Sequence, residues 1–155
     1  MKRLYDGLGF VGGAILAAMT GAVFLQVVLR YAFRTGMEGL DEVPRYLFVW
    51  LVMIGAAAAM ERGEHTALVY FRDRLGPAKR VILRVVTTAL SMLLFLSMIR
   101  ASLVLVPNAN LQSSPGLGLP LGYVYAAIPV GAVLILLPMA RDLRAVLREL
   151  WPKRS

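Results

Sequence analysis

The sequence predicts an all-α membrane protein: four transmembrane helices, both termini cytoplasmic, with interfacial arm segments between the spans. Three observations carry this. The 155-residue chain is 59% hydrophobic and only 17% charged, with a mean hydropathy of +0.69, whereas a soluble domain is about 25% charged. The apolar residues gather into four runs that hold almost no charge. The charges lie in short stretches between those runs, as in membrane loops. This pattern disfavours a water-soluble enzyme, a disordered chain and a nucleic-acid binder. The lack of cysteine excludes disulfides and thiol redox chemistry.

Each span has its own justification. A short basic start, with Lys2 and Arg3, precedes the uncharged run Leu8–Leu29. Its 22 residues exceed the apolar core of a signal peptide and suffice to cross a bilayer, so it reads as a retained helix. The run Tyr46–Met60 is shorter, and the aromatic residues Tyr46, Phe48 and Trp50 suit a membrane boundary. Glu61–Arg80 reads as a polar linker with an apolar island at Ala67–Phe71, punctuated by Gly76-Pro77. The third span is Val81–Val106, broken by Arg84 and Arg100. Pro107–Gly122 is rich in Pro, Gly, Ser and Asn and reads as a loop. The fourth span is Tyr123–Ala140, whose Pro129 and Pro138 are tolerable where neighbours satisfy the freed carbonyls. In the basic tail, Arg141, Arg144 and Arg148 follow helical spacing and predict a short surface helix. The whole is one membrane domain, residues 1–155, with spans at about 8–29, 46–60, 81–106 and 123–140.

Charge orients the chain. With four spans both termini share a side, and that side carries twelve Lys and Arg residues against three on the other, leaving out Arg84 and Arg100. The bias places both termini in the cytoplasm. It also assigns the net charge of +8 to topology and to attraction for anionic membrane lipids rather than to nucleic acid.

The chemistry of a self-contained machine is missing. No acid lies within the apolar runs, where a proton-coupled antiporter keeps one. His65 is the only histidine, too few for a b-type haem or a zinc site, and it reads as a loop residue. No cofactor and no metal is expected. Arg100 lies roughly 10 Å from the centre of its helix, near enough to the boundary for its side chain to reach outward or to meet a partner.

Packing signals are present instead. Gly9, Gly13, Ala17 and Gly21 form a stripe of small residues, expected to pack within the chain, with docking to another protein as the alternative. Gly55 and Ala56–Ala59 give the second helix a similar face. Glu38, Asp41, Glu42 and Arg45 share a helical face, with Arg45 spaced to pair with Asp41 or Glu42. Pro44 belongs in a first helical turn, which places Asp41 or Glu42 just ahead of that helix.

Three segments carry a family resemblance. They are Val28-Leu29-Arg30-Tyr31; Asp41-Glu42-Val43-Pro44-Arg45-Tyr46-Leu47-Phe48-Val49-Trp50 running on to Glu61-Arg62-Gly63-Glu64-His65; and Ser114-Pro115-Gly116-Leu117-Gly118-Leu119-Pro120-Leu121-Gly122-Tyr123-Val124-Tyr125. In order and spacing they resemble the small membrane subunit, the DctQ family, of tripartite ATP-independent periplasmic (TRAP) transporters. Pro44 stands where the family usually has a helix former, Gly116 where alanine is common and Tyr123 where tryptophan is common. The resemblance implies a non-catalytic scaffold subunit that binds and anchors a large membrane transport subunit. That large subunit would hold the sodium and substrate sites, and a periplasmic substrate-binding protein would deliver an organic acid. Under this reading Arg30, Tyr31, Glu38, Asp41, Glu42, Arg45, Tyr46, Trp50 and Arg100 are candidate partner-interface residues. Ser114, Pro115, Gly118, Pro120, Gly122 and Tyr123 form a periplasmic loop that helps to seat the binding protein. The alternative is an autonomous four-helix transporter acting as a homodimer. It requires an acid in the middle of helix one, where this chain has Ala18, Met19 and Thr20.

Overall fold

The computed structural model describes residues 2–36, 39–61 and 76–150. Glu38, most of the linker between the second and third spans with His65, and residues 151–155 lie outside the described residues. Among the described residues five helices follow in order: α1 (Lys2–Ala32), α2 (Glu42–Glu61), α3 (Pro77–Ala109), the single turn α4 (Gly122–Tyr125) and α5 (Ala127–Leu150). Among the same residues four segments are long and apolar enough to cross a membrane: Tyr5–Ala32, Glu42–Glu61, Lys79–Ala109 and Gly122–Val146.

The prolines set the local details. Pro77 opens α3 directly after Gly76, where its missing N–H would have no helical partner anyway. Pro44 is the third residue of α2, again within the unpaired first turn, and Glu42 is the first. Pro129 is the third residue of α5, and the chain makes a turn at Ala126 between α4 and α5. The run expected as one helix from Tyr123 is therefore split. Beyond it, α5 continues unbroken through Arg141 to Leu150, so the expected separate surface helix is instead a continuation of the fourth helix, reaching past the span that ends at Val146.

The spans form an open row. α1 packs on α2, α2 on α5, and α5 on α3. On α1 the buried or half-buried Tyr5, Leu8, Gly12, Ile15, Met19, Ala22, Gln26 and Leu29 recur at alternating steps of three and four, with Gly9 and Val28 half-buried beside them. On α3 the same steps run through Val85, Thr88, Met92, Phe95, Ile99, Ser102, Val106 and Ala109. Such a repeat is the seam of two helices crossing at a shallow angle. The α2–α5 seam at the middle of the row is built from small residues. Ala57, Ala58 and Ala132 are buried, and a Cβ on Gly131 would fall 2.6 Å from the Met53 Cβ. Of the stripe Gly9, Gly13, Ala17 and Gly21, only Gly9 is half-buried, so most of it does not pack inside the chain as expected. Gly13, Ala17 and Gly21 are exposed, and it is Gly12, one position away, that meets Leu51 of α2.

The end of the row near the termini is tied by polar contacts between helices. Pro138 cannot donate to the carbonyl of Leu134, four residues before it in α5. The buried Tyr5 hydroxyl of α1 donates to that oxygen at 2.9 Å. Arg141 of α5 pairs with Glu61 of α2 at 2.6 Å, and Arg84 of α3 pairs with Asp142 of α5. Arg84 thus anchors one edge helix to the centre of the row.

Replacing the Tyr5 hydroxyl tests this reading. Tyr5→Phe leaves the Leu134 carbonyl unsatisfied and is expected to cost about 1–3 kcal/mol of stability. Pro138→Ala restores a helical N–H to that carbonyl, so its presence should reduce the cost of Tyr5→Phe. Denaturant unfolding of the four proteins of this double-mutant cycle, in detergent, measures the coupling.

Candidate functional site

At the opposite end of the row two loops meet. One is the link that leads into α2; the other is the hairpin between α3 and α4. The hairpin is closed by an antiparallel bridge between Ser113 and Pro120. The Ser114 amide donates to the Leu119 carbonyl at 2.9 Å, the Leu121 amide to the Gln112 carbonyl at 2.9 Å, and the Gly118 amide to the Ser114 carbonyl at 3.0 Å. Gly118 has φ +65°, which a residue without a Cβ adopts at no steric cost. The buried Ser114 hydroxyl also accepts from the Leu119 amide at 3.3 Å.

Glu42 joins the loops. It is buried at the first position of α2, although it is an acid. One carboxylate oxygen accepts from the Gly116 amide at 3.0 Å and the other from the Leu117 amide at 3.3 Å. The side chains of Ser114 and Tyr46 also hydrogen-bond to it. Two successive backbone amides form a small positive concavity that suits a carboxylate, and the α2 N-terminus adds its partial positive charge. The ion pairs expected between Arg45 and Asp41 or Glu42 are not formed. The amides hold the Glu42 carboxylate, and both Asp41 and Arg45 are exposed.

Glycines let the loops approach. Gly39 has φ +91°, and a Cβ there would fall 2.7 Å from the Gly116 carbonyl carbon. The Glu42 amide donates to the Gly39 carbonyl at 3.0 Å, which starts the helix from that turn. Gly122 is buried against the Asn110 side chain, where a Cβ would collide with the amide group.

The other expected site residues are spread around this clamp. Arg30 and Tyr31 are exposed at the end of α1, Tyr46 and Trp50 are half-buried on α2, and Arg100 is exposed on α3. Pro115, Gly118 and Tyr123 are exposed on the hairpin side, while Pro120 is half-buried. Among the described residues no group of three His, Cys, Asp or Glu stands close enough to hold a metal ion. The clamp fixes a shape, since its one buried carboxylate is already engaged by donors.

Comparison with known proteins gives the arrangement a family. Residues 19–149 match the DctQ component of tripartite ATP-independent periplasmic transporters. The chain belongs to the DctQ family. A Haemophilus influenzae protein, provisionally named a TRAP transporter small permease, is 34% identical over 123 residues, covering 79% of this chain and 76% of that one. The C4-dicarboxylate TRAP transporter small permease DctQ of Rhodobacter capsulatus is 30% identical over 84% of this chain and 57% of its own length. The sialic acid TRAP transporter permease SiaT of H. influenzae is 25% identical over 88% of this chain, which spans only 22% of that longer protein. As a DctQ-family chain with four apolar spans, the protein is a TRAP transporter subunit and a multi-pass inner-membrane protein.

Two of the three segments that carry the DctQ resemblance meet at the clamp. The segment starting at Asp41 supplies the carboxylate and the segment starting at Ser114 supplies the amides. Sequence reasoning named Glu42 and Ser114 but missed their contact, because no local spacing links positions more than 70 residues apart. It also missed the Tyr5, Glu61, Arg84, Arg141 and Asp142 contacts at the other end, where each residue read as an ordinary boundary charge or aromatic.

Removing the Glu42 carboxylate releases the hairpin. Glu42→Ala is expected to speed hydrogen exchange at the Gly116 and Leu117 amides by about tenfold or more, as loss of one charge-assisted bond implies. Arg45→Ala should leave the same amides unchanged, since Arg45 takes no part in the clamp.

Proposed function

We propose that this chain is a non-catalytic scaffold subunit of a sodium-driven, binding-protein-dependent TRAP transporter for organic acids. It binds and anchors the large transport subunit in the membrane. The observation that carries this reading is the open row of spans. Large apolar side chains such as Phe10 and Phe24 on α1 and Leu90, Leu93, Leu103 and Val104 on α3 are more than 60% exposed, while the two ends of the row are fastened by specific polar contacts. A row built this way offers broad, fixed apolar faces and holds no acid between Pro44 and Met60 or between Gly76 and Arg141 with which to carry a coupling ion.

The relatives support the reading. In SiaT and in an uncharacterised Sinorhizobium fredii protein that matches this chain over 26% of its length, a DctQ-like stretch is one part of a longer polypeptide. A small unit fused to further chain in some proteins is suited to work beside a separate chain in others. The name of the R. capsulatus relative, a C4-dicarboxylate transporter subunit, favours an organic acid as the cargo of the complex.

The charge bias supports cytoplasmic termini, with the hairpin facing the periplasm. Its exposed Pro115, Gly118, Leu119 and Tyr123 are uncharged, and the hairpin is pinned by its bridge and by Glu42, which suits a seat for a periplasmic substrate-binding protein. Arg30, Tyr31, Asp41, Arg45 and Arg100 remain exposed and available to the large subunit.

A pull-down of the tagged chain from its native membrane tests the reading. The expected result is a large multi-span protein in about one-to-one ratio; recovery of copies of this chain alone overturns it. Arg45→Ala is expected to lower the yield of the co-purified large subunit while leaving thermal stability of the isolated chain unchanged. Joint replacement of Pro115 and Pro120 by alanine is expected to reduce uptake, and unchanged uptake rules out the hairpin's role. The chain has no native cysteine, so a single cysteine at Ser113 serves as a topology probe. A membrane-impermeant maleimide should label it from the periplasmic side.

A further inference from the structure

A cavity of about 390 Å³ lies where α1 ends and the link to α2 turns back. Gln26, Leu29, Arg30, Arg34, Thr35 and Leu40 line it. Two cations and two neutral polar groups thus face one space, and none of the described lining residues is an acid. Neither arginine forms an ion pair with a described residue. Arg34 has φ +52°, an uncommon conformation for a residue with a Cβ. The Thr35 amide returns to the Leu29 carbonyl at 3.2 Å and closes the turn.

We propose that Arg30 and Arg34 form a site for the phosphate of an anionic phospholipid. The level in the membrane is right. Arg30 directly follows the uncharged run Leu8–Leu29, which at about 1.5 Å per residue spans roughly 33 Å, the thickness of the hydrocarbon core. The cavity therefore lies among headgroups. Val27 and Val23 stand three and seven residues before Arg30 on the same face, and both are nearly half exposed, leaving an apolar track for an acyl chain. Guanidinium groups bind phosphate through paired N–H donors and carry less hydration than ammonium groups. The C-terminal end of α1 opposes an anion with about half a negative charge, against which two full positive charges stand.

Phosphatidylglycerol titrated onto the detergent-purified full chain, read by native mass spectrometry, tests the site. The wild type is expected to hold one such lipid in preference to phosphatidylcholine, and to keep it in excess inorganic phosphate. Arg30→Gln with Arg34→Gln should weaken the lipid by about tenfold or more. Leu40→Trp, which fills the cavity without changing charge, should weaken it similarly. Arg144→Gln with Arg148→Gln, an equal loss of charge on α5, should not. Displacement by inorganic phosphate assigns the site to a soluble anion and overturns the lipid reading. Loss of lipid in the Arg144→Gln, Arg148→Gln double variant, or retention in Leu40→Trp, shows diffuse attraction and overturns the cavity. Absence of any preference in the wild type overturns it without reference to a variant.

Discussion

The hydrocarbon core offers no water to a peptide group, so every backbone donor and acceptor within it needs a partner from the protein. Nearly all of this chain's architecture answers that demand. The spans are helices because a helix satisfies its own peptides. Pro44, Pro77 and Pro129 sit in first turns, where a missing N–H costs little. Pro138 alone among the proline positions of α5 leaves a mid-helix carbonyl bare, and the hydroxyl of Tyr5 from a different helix fills the gap. A defect in one helix thereby becomes a link between two. The same demand drives the charged residues to the two ends of the row, where Glu61, Arg141, Arg84 and Asp142 make their contacts on one face and Glu42 on the other.

The two ends are fastened by different means. Near the termini, side chains pair with side chains across α2, α3 and α5; Arg84 and Asp142 are about half exposed, where an ion pair holds loosely and weakens with salt, while Arg141 reaches a Glu61 side chain that is largely buried. At the hairpin end a buried carboxylate meets backbone amides, and Gly39 lets its loop come against the backbone of Gly116. The second arrangement leaves less freedom, since a carboxylate stripped of water needs both of its donors. The hairpin is therefore the more sharply defined of the two ends, and the end with a fixed outline to present.

The number, type and order of the spans were legible because hydrophobic runs and charge placement report the bilayer directly. Lateral packing was less legible. The stripe at Gly9, Gly13, Ala17 and Gly21 has the small-residue spacing of a helix contact, yet the seam with α2 runs through Gly12, Ile15, Met19 and Ala22. Small residues permit close approach but do not compel it; the steps of three and four in the larger side chains decide the face. Among the site residues, Glu42 was chosen as one of a polar group with Arg45. The competing interaction came from amides of a loop more than 70 residues away, which side-chain spacing cannot register. The basic tail was read as a surface helix because its arginines recur at helical steps; the same periodicity equally suits the continuation of α5 that the structure has.

The row geometry bears on what the chain can do in a membrane. α1 and α3, at the two edges, each pack mainly on one neighbour, so most of their circumference faces outward. In lipid this carries no hydrophobic penalty, because acyl chains are as apolar as leucine, and association depends on shape, on small residues and on polar contacts. The unpacked stripe on α1 and the lone Arg100 on α3 are features of those kinds, one on each edge helix. A chain meant to fold and act alone would gain by closing its row into a bundle and burying both. An open row keeps them outside and available, which is the arrangement expected of a part whose remaining contacts are made by another chain.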